Sequence, residues 1–184
     1  MNKSLKTLFL FNGIFVFAGS LLGPLYALYV ANIGKSVLVV STSWSVYLAS
    51  ATLCTLILSK YGDRVKEKER LLMAGYLIRG LVWIAYIFVG NFTTLLVLQF
   101  VLGIGEALGT PAYDTIFAEH LDRTKHIRDY STWKVISNLL GAAATFLGGL
   151  VVTYSGFIPL FMFMAILAFT SFLGVGMSPR KLYE

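Results

Sequence analysis

Six separate runs of roughly twenty mainly apolar residues, each long enough to cross a bilayer core of ~30 Å, leave this chain no soluble fold. They lie near Leu8–Val30, Val37–Leu58, Leu71–Gly90, Phe92–Ala118, Thr132–Tyr154 and Phe157–Met177. The connections between them are short, and no stretch is left over for a separate soluble domain. Composition agrees, because hydrophobic residues are 57% of the 184 and charged residues only 13%. Soluble domains run near 45–50% and about 25%. So few charges cannot cover the surface of a small soluble globule, and disorder needs low hydrophobicity and high charge. The expected fold class is an all-α polytopic membrane protein, with residues 1–184 forming one six-helix transmembrane domain.

The basic residues give the orientation. Lys3 and Lys6, then Lys60, Arg64, Lys66, Lys68 and Arg70, then Arg123, Lys125 and Arg128, then Arg180 and Lys181 all fall on one side of the six runs. The other side has Lys35, while Arg79 and Lys134 lie within or at the edge of runs. The positive-inside rule then places the N- and C-termini in the cytoplasm. It also accounts for the net charge of +6 without nucleic acid, since such charges sit beside an anionic leaflet. The first run is too long for the ~7–15-residue core of a signal peptide and is read as a retained helix.

Two local patterns recur about half a chain apart. Gly19-Ser-Leu-Leu-Gly23-Pro24-Leu-Tyr26 in the first run matches Gly105-Glu-Ala-Leu-Gly109-Thr-Pro111-Ala-Tyr113 in the fourth. Ser41-Thr-Ser-Trp44-Ser-Val46 in the second matches Tyr130-Ser-Thr-Trp133-Lys-Val135 in the fifth. The third and sixth runs add no convincing match. The offsets fit two three-helix repeats of inverted topology, about 7–90 and 92–178.

With these features the chain resembles the N-terminal half of a major facilitator superfamily transporter, over nearly its whole length. Gly23-Pro-Leu-Tyr-Ala-Leu-Tyr-Val-Ala-Asn-Ile-Gly34 is similar to the family's first helix and following turn. Tyr61-Gly62-Asp63-Arg64 looks like the core of its cytoplasmic motif, G-x-x-x-D-R-x-G-R-R, and Leu98-Gln-Phe-Val-Leu-Gly103-Ile-Gly105-Glu-Ala resembles R-x-x-x-G-x-G-x-A of its fourth helix. Ser59, Lys66 and Glu67 depart from the first motif and Gln99 replaces the Arg of the second. The fifth run lacks the G-P pair of the family's drug/proton antiporters. The family normally has twelve helices, two such halves with the substrate site between them. The resemblance therefore implies a half-size secondary transporter working by alternating access. Its partner would be a second copy, as a homodimer of two-fold symmetry, or a paralogous half.

Ionisable groups inside a membrane are functional hypotheses by default. Arg79 is near the middle of the third run, Glu106 is within the fourth, and Asp114 lies near the fourth run's cytoplasmic end. On a helix, Gln99, Gly103, Glu106, Thr110, Tyr113 and Asp114 share one face. Asn12, Gly19 and Tyr26 share one face of the first run. The resemblance implies that the first and fourth helices line the central cavity, so Asn12, Tyr26, Gln99, Glu106, Thr110 and Tyr113 are expected in its wall, against a small polar solute. Glu106 is expected either to couple transport to a proton or cation or to form a structural ion pair with Arg79, whose depth is similar at ~1.5 Å per residue. By the same resemblance Asp63, Arg64, Asp114 and Glu119 form a cytoplasmic gate, Arg64 or Lys68 pairing with Asp114 or Glu119. Gly19/Gly23 and Gly105/Gly109 are small-x-x-x-small pairs expected at close helix contacts. Trp44, Trp83 and Trp133 are expected as packing or interfacial anchors.

Other classes find little support. Cys54 is the sole cysteine and forms neither an internal disulfide nor a cysteine metal cluster; His120 and His126 fall in a basic loop. No metal or cofactor is expected. There is no G-x-S-x-G and no H-E-x-x-H or Walker A loop, so no enzyme is expected. The rival reading is a membrane subunit without transport of its own: a degenerate half-carrier, or a substrate-capture subunit like those of energy-coupling-factor importers. The expected location is a bacterial or archaeal inner (plasma) membrane.

Overall fold

The computed structural model describes residues 3–65, 67–121 and 126–178, with the backbone alone at residues 3–5 and 63. Lys66, Arg123, Lys125, Arg180 and Lys181 therefore lie outside the described residues. Among the described residues the chain is all-helical, with six spans long and apolar enough to cross a membrane: Lys6–Ile33, Val37–Tyr61, Lys68–Phe88, Phe92–Glu119, His126–Ser155 and Phe157–Met177.

Local chemistry sets the boundaries. The Ser36 hydroxyl accepts from the Leu38 amide at 3.2 Å and the Asn91 side chain from the Thr94 amide at 2.8 Å. Each satisfies one orphan donor at a helix start. Gly156 alone joins the fifth and sixth spans, at φ +82, a left-handed conformation that glycine adopts without a Cβ clash. Pro24 interrupts the first span with a 3-10 turn over Gly23–Leu25. Pro111, inside the fourth-span helix, removes one backbone donor, while Thr115 donates back to the Pro111 carbonyl at 2.7 Å. The fifth helix begins at His126, earlier than its apolar run, because a helix continues through polar residues once outside the hydrocarbon.

The spans pack in matched pairs. The first lies against the fifth and sixth, the fourth against the second and third, and the third against the sixth. The first and fourth barely touch, which leaves room between them.

Glycine allows the closest approaches, as expected without a hydrophobic drive between membrane helices. A Cβ on Gly148 would fall 2.1 Å from the Leu21 carbonyl oxygen, fixing the fifth span on the first. One on Gly103 would meet the Tyr47 carbonyl oxygen at 2.6 Å, fixing the fourth on the second. One on Gly75 would lie 2.6 Å from the Gly109 Cα and 2.8 Å from the Gly105 carbonyl oxygen.

Exposure divides the surface. The sixth span shows Ile158, Met162, Phe163, Ile166 and Leu173, a lipid-facing set. The second exposes Ser41, Ser45, Thr52, Thr55 and Ser59, at alternating three- and four-residue steps interrupted once by Leu48. The fifth exposes Ser131, Asn138, Ala142 and Thr153 along one face, and also Val135, Leu139, Phe146, Leu147 and Leu150.

Candidate transport cavity

A cavity of about 540 Å³ lies between the first and fourth spans, with the third and fifth at its sides. Six crossings bring both chain ends to one end of the bundle, and the cavity occupies the half nearer to it. Its walls carry Asn12, Tyr76, Arg79, Glu106, Thr110, Tyr113 and Asp114.

At its inner limit Arg79 Nη1 donates to Glu106 Oε2 at 2.6 Å. Thr110, one turn on, donates to Glu106 Oε1 at 2.6 Å. The Arg79 guanidinium lies over the Phe15 ring, 4.4 Å from its centroid. The side chains are 18% and 27% exposed, so both charges are largely out of water. The pair thus compensates charge at the midpoint of a membrane bundle, where a lone charge costs several kcal/mol.

Toward the chain ends the wall is aromatic and loosely bonded. Asn12 accepts from the Tyr76 hydroxyl at 2.8 Å. Tyr113 packs on Trp133, centroids 5.3 Å apart. Its hydroxyl lies beside Asn12 but has no hydrogen-bond partner, although the residue is 5% exposed.

On the other side of the ion pair is a second cavity of about 130 Å³, walled by Tyr26, Trp44, Tyr47, Arg79, Tyr86 and Gln99 among others. Here three side chains bond in series, although Gln99 Oε1 and the Tyr86 hydroxyl have no partner. Gln99 donates from its amide nitrogen to the Tyr26 hydroxyl, Tyr26 donates to Ser43 at 2.7 Å, and Ser43 to the Val40 carbonyl at 2.8 Å. Tyr26 packs on Trp44 at 5.4 Å.

The expected cavity wall is therefore split in two. Asn12, Glu106, Thr110 and Tyr113 meet at the larger cavity, whereas Tyr26 and Gln99 lie beyond the ion pair, at the smaller one. The cause is length: Gln99 to Asp114 covers about 22 Å of helix at 1.5 Å per residue, more than one chamber. Gly19 and Gly23 line both cavities. A Cβ there would make only ordinary contacts, with Trp83 at 3.9 Å and Thr145 at 3.7 Å, while one on Gly105 would press Arg79 Cγ at 2.8 Å. The first-span pair leaves open space, and close packing belongs to Gly105, Gly109 and the unanticipated Gly75.

The gate residues are also divided. Lys68 and Glu119 form an ion pair at the bundle end. Arg64 lies over the Tyr61 ring at 5.5 Å and, among the described residues, makes no pair with Asp114 or Glu119. The short turn Gly62–Arg64 turns it back on its own helix. Asp114 instead lines the larger cavity, and the side chain of Asp63 lies outside the described residues. Sequence reasoning missed Phe15 and Tyr76. Both were reachable by spacing: Tyr76 is three residues before Arg79 and Phe15 three after Asn12, one helical face each. Among the described residues no cluster of His, Cys, Asp or Glu is arranged to hold a metal.

The sequence matches the description of the Major Facilitator Superfamily over residues 8–181. The chain belongs to that superfamily. It is also similar to the uncharacterized MFS-type transporter YitZ of Bacillus subtilis (strain 168), 28% identical over 159 residues, which are 84% of this chain and 94% of that protein. This superfamily member is thus an integral membrane protein of the transporter type. Its ion pair and cavity can be read as parts of a carrier.

Proposed function

We propose that this chain is one half of a secondary carrier that moves a small polar solute by alternating access, two copies enclosing a central path. The observation that carries the reading is the Arg79–Glu106 pair set in the wall of a 540 Å³ cavity. A scaffold strut needs no such cavity, whereas a coupling carboxylate needs access. Glu106 serves as the proton or cation site, and Asn12, Thr110 and Tyr113 face the solute.

Three observations support two copies and an inverted 3+3 repeat. The matched packing, first on fifth and sixth and fourth on second and third, is what exchange of two three-helix repeats, about 7–90 and 92–178, would produce. The recurrent sequence pairs Tyr26–Trp44 and Tyr113–Trp133 stack at 5.4 and 5.3 Å. One face each of the second and fifth spans exposes small and polar residues, Ser41, Ser45, Thr52, Thr55 and Ser59 on the second and Ser131, Asn138, Ala142 and Thr153 on the fifth, which suit another helix better than lipid. The relative from Bacillus subtilis is covered almost entirely by this one unit, so a partner of the same size is the economical second half. The basic-residue distribution places both termini in the cytoplasm, and the homologue favours a bacterial inner membrane.

Native mass spectrometry of the protein in nanodiscs tests the assembly: a species of two chains is expected, and a stable monomer without a partner would overturn the two-copy carrier. Glu106→Gln tests coupling. It should abolish pH-dependent flux while the dimer persists; unchanged coupled flux would leave the pair a structural strut.

A further inference from the structure

A trough of about 450 Å³ runs along the first span, walled by that span from Lys6 to Phe17, by Ile136 and Leu140 of the fifth and by Leu167 of the sixth. Lys6, at one end, is the one polar residue in its wall. The trough is separate from the transport cavity. Leu10, Ile14 and Phe17 line the trough, whereas Asn12, Val16 and Gly19 of the same span line the cavity. At 3.6 residues per turn the two sets lie on opposite faces of one helix. It is also clear of the polar face of the fifth span. Asn138 and Ala142 are two residues from Ile136 and Leu140, so they fall on the other side of that helix. Gly13 keeps the trough open, since a Cβ there would already meet Leu140 Cδ1 at 3.1 Å.

Length, width and charge identify the occupant. From Lys6 to Phe17 is about 16 Å of helix at 1.5 Å per residue, half of a hydrocarbon core of ~30 Å. The trough starts at the bundle end that holds the chain termini and stops level with Leu167, the midpoint of the sixth-span helix Phe157–Met177. It therefore spans one leaflet, whereas a seat for another membrane helix would run through both. Over that length 450 Å³ gives a mean section of about 28 Å². A helix ~10–12 Å across fills about 80–110 Å², so a flexible hydrocarbon chain fits and a helix does not. Lys6 is exposed and makes no ion pair among the described residues. Arg128 and Asp129, at the start of the adjoining fifth helix, cancel in sum. The rim is thus positive, and a lysine there lays its stem on apolar surface and lifts its ammonium to the headgroups.

We propose that this trough is a binding site for an anionic phospholipid, one acyl chain lying between the first, fifth and sixth spans and the phosphate at Lys6. The lipid comes from the leaflet on the side of the chain termini. One basic residue at the surface favours an anionic headgroup about five-fold. The site goes beyond the carrier reading and does not depend on it.

Native mass spectrometry of the full chain in detergent, titrated with dioleoylphosphatidylglycerol or dioleoylphosphatidylcholine, tests the site. One retained phosphatidylglycerol per chain is expected, preferred about five-fold over phosphatidylcholine. Lys6→Gln should level the two lipids. Lys60→Gln, a base at the same end in the last turn of the second span, should keep the preference. Gly13→Leu should weaken both lipids several-fold, and Ile14→Trp fills the same space from the wall if Gly13→Leu does not fold. Equal affinity of the parent for the two lipids would overturn the proposal, as would equal losses in Lys6→Gln and Lys60→Gln or parental binding in the filled variants. Lipid retained by single chains and lost from two-chain species would also overturn it, because a second copy would then cover the trough. No readout requires transport, so failure here leaves the carrier reading untouched, and the reverse.

Discussion

The two ends of the bundle hold similar side chains, an amide, a phenol and an indole, bonded in different ways. Away from the chain termini, Gln99, Tyr26 and Ser43 form a run of hydrogen bonds, with Trp44 packed on Tyr26, while Gln99 Oε1 and the nearby Tyr86 hydroxyl have no partner. Toward the termini, Asn12, Tyr113 and Trp133 repeat the amide, the phenol and the indole at offsets of 87 and 89 residues, with the same ring spacing. There, however, Asn12 is taken by Tyr76 and the Tyr113 hydroxyl is unbonded. The tight corner adjoins the 130 Å³ chamber and the loose one the 540 Å³ cavity. Similar side chains thus accompany a small chamber at one end and a large cavity at the other. On the carrier reading proposed above, that difference suits ends that open in turn.

The largest effects should come from the contacts that support both corners. Gly148→Leu forces a side chain into the Leu21 backbone and Gly103→Leu does the same against Tyr47. Overpacking usually costs about 1–3 kcal/mol, and more where backbone is the obstacle. Neither variant should be recovered folded, while Gly149→Leu, with nothing within 4 Å, should be. Expression and monodispersity in detergent check all three.

Next in size is the divider between the corners. Arg79→Ala leaves the Glu106 carboxylate without its counter-charge. Breaking a buried pair costs about 3–5 kcal/mol, and partial exposure of this one reduces that to about 2–3 kcal/mol. The double variant Arg79→Ala/Glu106→Ala should recover part of the loss, because the stranded charge is gone. Unfolding free energies in bicelles decide it, and equal losses in the single and double variants would show the pair to be uncoupled.

Tyr26→Phe breaks the tight corner. It strips the Gln99 amide of its acceptor and Ser43 of its donor, at about 1–2 kcal/mol by the usual value of hydrogen bonds in proteins and in membranes. The same unfolding measurement should show that loss. Stability equal to the parent would mean that the corner is sealed by packing alone.

How far all this was legible follows from the physics of each element. The sixth span, Phe157–Met177, was readable to the residue because hydrophobicity marks it and Gly156 punctuates it. The starts at Val37 and Phe92 coincide with the starts of the apolar runs, and the structure supplies the local cause, caps by Ser36 and Asn91. The fifth helix ran past its apolar stretch, since hydropathy records the membrane and not the helix. Glu106 and Arg79 were found because membrane charges are rare, and their similar depth anticipated the pair. The split of the polar stripe was not readable: helical spacing says which face a residue occupies, not which chamber that face meets. Spacing likewise did not say that Asp114 lines the larger cavity while Glu119 takes Lys68, and Gly75 gave no signal because its partner glycines lie on another helix.

The smallest expected effect is the sharpest on the comparison. Tyr113→Phe removes a hydroxyl that is 95% buried with its residue and bonded to nothing. A buried donor without a partner is a cost to the fold, not a gain, so its removal should leave the unfolding free energy within about 0.5 kcal/mol of the parent, or raise it. The ring contacts with Phe117 and Trp133 remain, since phenylalanine keeps the shape. Placed beside Tyr26→Phe, the same deletion at the matching tyrosine of the recurrent sequence pattern should then differ by about a kilocalorie or more, the worth of a hydrogen bond. A loss equal to that of Tyr26→Phe would mean that the Tyr113 hydroxyl is bonded in the membrane, and that the two ends are alike after all.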